Sequence, residues 1–132
     1  MGKQATRNRR KPRRTAKSLD KRRRVQDLAR RVNDVRIAHG GDTYSMTQIR
    51  SFAAAQCGAG ADHRERFLRN WLSVYSEYGP KFTEAGITIQ EVDDGFISDP
   101  RCGVGPDAYI AYAEDAIAFA REQQEQADKV VD

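Results

Sequence analysis

Apolar residues recur at steps of three and four over most of this chain, the spacing of one helix face. Leu19, Val25, Leu28, Val32 and Val35 form the first stripe. Ser18 is placed to cap it, and Gly40-Gly41 ends it, with Gly40 suited to the left-handed residue after a helix. A first helix is predicted over 18–38. Ser45-x-x-Gln48 is a capping box, in which serine and glutamine side chains satisfy two orphan amides. Met46, Ile49, Phe52 and Ala53 then line a second helix, 46–57, stopped by Gly58. Asp62-x-x-Glu65 resembles a second box with an aspartate cap. Phe67, Leu68, Trp71, Leu72, Val74, Tyr75 and Tyr78 make the third helix, 62–78, the most apolar, and Gly79-Pro80 ends it.

The period changes after that. Ile87 and Ile89 alternate with Thr88 and Gln90, Asp93-Asp94-Gly95 is a turn signal, and Phe96-Ile97-Ser98 follows. This predicts a short β-hairpin over 86–98. Asp107 is placed to cap a last helix, 108–130. Ile110, Ala113, Ile117 and Ala120 form one seam of it, and Tyr109, Tyr112, Ala116 and Phe119 the neighbouring one. Beyond Arg121 it turns polar and is expected to project into solvent or to join a dimer. The expected fold is mainly α: one small helical domain, 18–132, of about four helices and one short hairpin.

Charge divides the chain sharply. Residues 1–36 hold 15 basic and 3 acidic side chains, net +12. Residues 37–132 hold 8 basic and 16 acidic, net −8. The pI of about 9.3 therefore belongs to one end. Twelve of the first 24 residues are Lys or Arg, against the single acid Asp20. Such density repels itself and cannot pack into a core, so residues 1–17, interrupted by Pro12, read as a disordered basic arm.

A solvated cationic arm needs a polyanion, and nucleic acid binds such arms by exchanging counterions for Lys and Arg. The candidate phosphate contacts are Arg7, Arg9, Arg10, Lys11, Arg13, Arg14, Lys17, Lys21, Arg22, Arg23 and Arg24. No apolar anchor accompanies them, as a membrane-surface helix would need. The arm has no aromatic residue for base stacking either. The acidic body could instead bind a protein while the arm holds RNA or DNA, which is the adaptor alternative.

The stretch from Ile49 to Phe67 resembles a helix-turn-helix, with Ala54 and Gly58 at the spacing where its two helices approach closely. That resemblance makes the helix from Asp62 the reading helix, and its exposed candidates are Arg64, Arg66, Arg69 and Asn70. The hairpin would be the wing of a winged helix spanning 45–98. Arg64 departs from the family pattern, which has a buried aliphatic residue there. Usage rich in Ala, Arg, Asp and Gly also resembles that of small basic proteins of actinobacterial, particularly mycobacterial, prophages. Both resemblances imply DNA in preference to RNA, and a regulatory or architectural role.

Little else points to chemistry. His39, Cys57, His63 and Cys102 lack the paired spacing of a zinc site, so no metal is expected. The acids Glu91, Asp93, Asp94 and Asp99 read as solvated turn residues rather than a nuclease centre. No cofactor loop or nucleophile–base set is present, and no enzyme is expected. No apolar run approaches the ~20 residues of a membrane span. Without an apolar signal segment the expected location is cytoplasmic, nucleoid-associated if the partner is DNA.

Overall fold

A computed structural model describes residues 16–131, with side chains to Val130. It contains five helices: α1 (Ala16–Ala38), α2 (Met46–Gln56), α3 (Ala61–Glu84), α4 (Ile89–Ile97) and α5 (Pro106–Val131). Ala16 and Lys17 thus belong to α1, and the rest of the arm, 1–15, lies outside the described residues. No helix is long and apolar enough to cross a membrane among the described residues.

The frame is α1 laid along α3. Lys21 meets Asp62, Arg24 meets Glu65, Arg36 meets Tyr75 and His39 meets Thr83, so the two helices run in the same direction. A parallel pair needs a crossover, and α2 supplies it. From α1 come Val25, Leu28, Ala29 and Val32; from α3 come Phe67, Leu68, Trp71, Val74, Tyr75, Tyr78 and Phe82. Ile49 and Ala53 of α2, Ile89, Val92 and Phe96 of α4, and Tyr109, Ala113 and Ile117 of α5 close the core.

The helix ends follow local chemistry. At Gly40 (φ +82°) the Gly41 N–H reaches the Arg36 carbonyl at 2.7 Å, and the Gly40 N–H reaches Ile37 at 3.3 Å. This is a Schellman ending, which needs a left-handed residue and so favours glycine. The capping box at α2 is complete. Ser45 Oγ accepts the Gln48 N–H at 3.1 Å, and Gln48 Oε1 accepts the Ser45 N–H at 2.8 Å.

Three sequence expectations are corrected. Asp62 does not cap α3: the helix starts one residue earlier behind Gly60, and Asp62 pairs with Lys21 instead. Asp107 likewise sits inside the first turn of α5, behind Pro106, whose fixed φ suits a first helical position. Gly79-Pro80 does not end α3, which runs to Glu84. Pro80 leaves only the Ser76 carbonyl without its helical donor, and both residues are exposed to water. The true stop is a second Schellman ending at Gly86 (φ +80°), where the Ile87 N–H reaches the Phe82 carbonyl at 2.9 Å.

The larger correction concerns residues 86–98. They form no hairpin, and no strand occurs among the described residues. Thr88 caps α4, its hydroxyl oxygen accepting the Glu91 N–H at 3.0 Å. Ile89, Val92, Asp93 and Phe96 are buried, which is helical spacing. Gly95 marks a close approach rather than a turn: a Cβ there would lie 2.2 Å from the Tyr112 hydroxyl. The expected wing is therefore absent.

Candidate functional site

The basic end of α1 lies beside the first turns of α3. Lys21 is bonded to Asp62, and its ammonium holds the Asp62 carboxyl below the usual carboxylate range. Glu65, almost buried, accepts from Arg24 Nε at 3.3 Å and from Arg69 Nη2 at 2.6 Å. Two acids of α3 are thus covered by α1 cations, and they offset part of the positive charge on this face. Arg23 approaches Asp20 at 3.9 Å on the outer side of α1. Lys17 and Arg22 are exposed and take part in no ion pair among the described residues.

The candidate reading residues separate. Arg66 and Asn70 are exposed, four residues apart, and share the outer face of α3. Arg66 Nη2 lies 3.0 Å from His63 Nδ1. Arg69 turns toward α1 to meet Glu65. Arg64 is half-buried and falls on the inward side of the helix, as its family-atypical position implies. The candidates Arg7, Arg9, Arg10, Lys11, Arg13 and Arg14 lie outside the described residues.

A second polar assembly sits inside the core, where the sequence reading placed only a turn acid. Arg36 is fully buried, and Asp93 is 7% exposed. They form an ion pair through Arg36 Nη1 and Asp93 Oδ2. Arg36 also donates from Nε to the Asp42 carbonyl (2.7 Å), from Nη1 to the Tyr75 hydroxyl (3.1 Å) and from Nη2 to Gln90 Oε1 (3.2 Å). Its guanidinium lies 4.0 Å from the centre of the Tyr44 ring, a cation–π contact. Asp93 Oδ2 accepts Tyr75 (2.9 Å) and Tyr44 (3.1 Å), and Oδ1 accepts Tyr109 (2.6 Å).

Burial and the nearby Asp93 charge push the Tyr44 phenol up to about 12, and hold Tyr75 and Tyr109 well above the ordinary phenol range. Burial works against the Arg36 charge as well, yet Tyr75 and Asp93 hold it ionised above its ordinary value. No buried side-chain nitrogen or oxygen lacks a partner among the described residues. A network satisfied in this way fixes one packing of α1, α3, α4 and α5. Its sequence signal was Thr88-x-x-Glu91 with Ile89, Val92 and Phe96, which puts Asp93 on a buried helical face.

Beside the network a cavity of about 260 Å³ opens between α2, α3, α4 and α5. Phe67, Trp71, Tyr75, Phe96 and Tyr109 wall it, and Asp93 lines it. The exposed lining residues Phe52, Ala55, Ile97 and Cys102 mark its mouth. Close-packed interiors rarely leave voids larger than a water molecule. Cys57 and Cys102 are free thiols, and no three potential ligands cluster for a metal among the described residues. No family model matches the chain, and no curated protein or solved structure matches it.

Proposed function

We propose that the protein binds nucleic acid without catalysis, DNA in preference to RNA, in a regulatory or architectural role. The observation that carries this reading is the 12 Lys and Arg residues among the first 24, opposed by one acid. Phosphate contacts supply sequence-independent affinity, and Lys and Arg are the side chains that make them. Exposed Lys17 and Arg22 on α1 extend the arm's charge onto the folded body. Arg66 and Asn70, exposed together on α3, are residue types that read guanine and adenine edges in a major groove. Residues 57–60 join α2 to α3 where the proposed helix-turn-helix has its turn, although Ala54 is exposed and no wing follows. A phage setting suits a small basic protein of this kind.

Mobility shifts of the full chain and of a chain lacking 1–17 test the reading, on duplex DNA and on RNA. About six phosphate contacts predict a ~10³-fold loss of affinity between 50 and 200 mM salt. Equal binding by the truncated chain would remove the arm from the mechanism.

The adaptor reading is supported by a different feature. A groove between α4 and α5 is lined by Ile87, Val92, Tyr112, Ala116 and Phe119, with Glu91 and Asp115 among its residues. Phe119 is 62% exposed, unusual for a large aromatic ring. On this reading Phe119→Asp should leave nucleic-acid affinity unchanged and abolish self-association, or binding to a basic partner, in sedimentation experiments. Unchanged sedimentation of both proteins counts against the adaptor.

A further inference from the structure

We infer that the cavity beside Asp93 is a binding site for a small, neutral aromatic molecule that carries one hydroxyl group. Size comes first. An apolar cavity of ~150 Å³ accepts a benzene ring, and this one holds about 260 Å³, enough for a ring with a short substituent. The walls select the shape. Trp71, Tyr109 and Phe96 meet edge to face, with ring centres 4.8 Å apart for Trp71–Tyr109 and 5.2 Å for Phe96–Tyr109. Those rings come from three helices, so they form a rigid apolar wall suited to another flat ring.

Charge selects neutrality. Asp93 is the one ionisable carboxylate lining the cavity, and Arg36 already compensates it. A cation gains no unpaired anion there, and an anion would meet the carboxylate. The hydroxyl follows from counting lone pairs. Asp93 Oδ2 accepts from Arg36, Tyr44 and Tyr75, whereas Oδ1 accepts from Tyr109 alone among the described residues. A carboxylate oxygen can take a second donor. The mouth suits entry of an apolar molecule, since Ile97 (69% exposed) and Phe52 stand at it. This site is independent of the arm and stands whether or not the protein binds nucleic acid.

The chain contains one tryptophan, so its indole N–H gives a single side-chain signal in a ¹H–¹⁵N spectrum. That proton is bonded to Gln56 Oε1 at 3.2 Å, and both residues line the cavity. The experiment titrates the labelled full chain with 4-ethylphenol and, separately, with ethylbenzene. A saturable shift of the Trp71 indole signal is expected, with 4-ethylphenol binding about tenfold more tightly because only it donates a hydrogen bond. Ile49→Phe fills the cavity from its buried side and Ala55→Phe from its exposed mouth, so one variant is safe if the other fails to fold. Each folded variant should lose the shift. A Trp71 signal unmoved up to the solubility limit overturns the proposal. So does equal affinity for the two probes, or a shift that survives in the filled variants.

Discussion

Arg36 of α1 and Asp93 of α4 stand 57 residues apart in the chain and form one ion pair in the core. Two charges leave water at a cost of several kcal/mol each, and their attraction offsets it only when every remaining donor and acceptor is used. Here three tyrosine hydroxyls, one carbonyl and one glutamine complete the shell. Asp93→Ala leaves Arg36 buried without its counter-charge and should cost ~3–5 kcal/mol in urea unfolding. Replacing both, as Arg36→Met with Asp93→Leu, should recover the part of that loss due to the unpaired charge, while the three tyrosine hydroxyls still lack their acceptor. A double mutant as unstable as Asp93→Ala would show that the shape of the network, not its charge balance, holds α1 to α4.

The same network predicts instability in alkali. Burial, reinforced by Asp93, raises Tyr44 to about 12 and holds Tyr75 and Tyr109 well above the ordinary phenol range. The unfolded chain releases these protons near pH 10. Between that pH and the folded values the unfolded state binds fewer protons, so stability falls as pH rises. The contribution is complete below about pH 10 and is lost as pH climbs through 12. Three such phenols predict a fall of about 4 kcal/mol per pH unit at the steepest part. Urea midpoints across this window measure it, and phenolate absorbance of Tyr75 and Tyr109 should rise only with unfolding.

The helical stripes of α1, α2 and α5 are legible in sequence because their signals are local: a period, a capping box, a glycine with positive φ. The region from Gly79 to Ser98 is not, and each misreading has a partner distant in sequence. Gly79 is small because His39, just past the end of α1, presses on it, and Gly95 because Tyr112 of α5 does. Asp93 looks like a turn acid until Arg36 is beside it. In the candidate interface, Arg69 reads as a base contact until Glu65, four residues back and nearly buried, claims it. Phe52 and Phe119 fit the apolar stripes yet remain exposed, because no other helix among the described residues covers those edges. Periodicity fixes which face is apolar, not whether anything lies against it.

Gly79 reverses the usual helix rule. Replacing an interior helical glycine with alanine normally stabilises by about 1 kcal/mol. A Cβ at Gly79 would lie 2.5 Å from His39 Cδ2 and 2.9 Å from Cγ. The His39 ring is held by Thr83, with Nδ1 at 2.8 Å from Oγ1, so it cannot move without losing that bond. Gly79→Ala should therefore destabilise the protein by ~1–3 kcal/mol. In a His39→Ala background the loss should shrink to what a Cβ costs directly before Pro80, a position where the helical conformation disfavours side chains. Thermal melting of the four proteins in this cycle separates the His39 clash from the proline effect.

Glu65 should restrain the basic surface. It accepts from Arg24 and Arg69 at once, so its single negative charge is shared between two guanidiniums in the absence of phosphate. If nucleic acid passes over α1 and the start of α3, its phosphates compete with this carboxylate for the two guanidiniums. Glu65→Gln keeps the side-chain shape and removes the competing charge. Affinity for duplex DNA should then rise, and the slope of log K against log salt should steepen by ~1–2, the change expected for one or two further phosphate contacts. Stability should fall by ~1 kcal/mol, since two charge-assisted bonds become ordinary ones. Fluorescence anisotropy with a labelled duplex, repeated over a salt series, reads the first effect, and urea unfolding the second. A lowered stability with an unchanged salt slope would mean that Arg24 and Arg69 never meet phosphate. Binding would then reside in the arm and the exposed Lys17 and Arg22, and α3 would take no part in it.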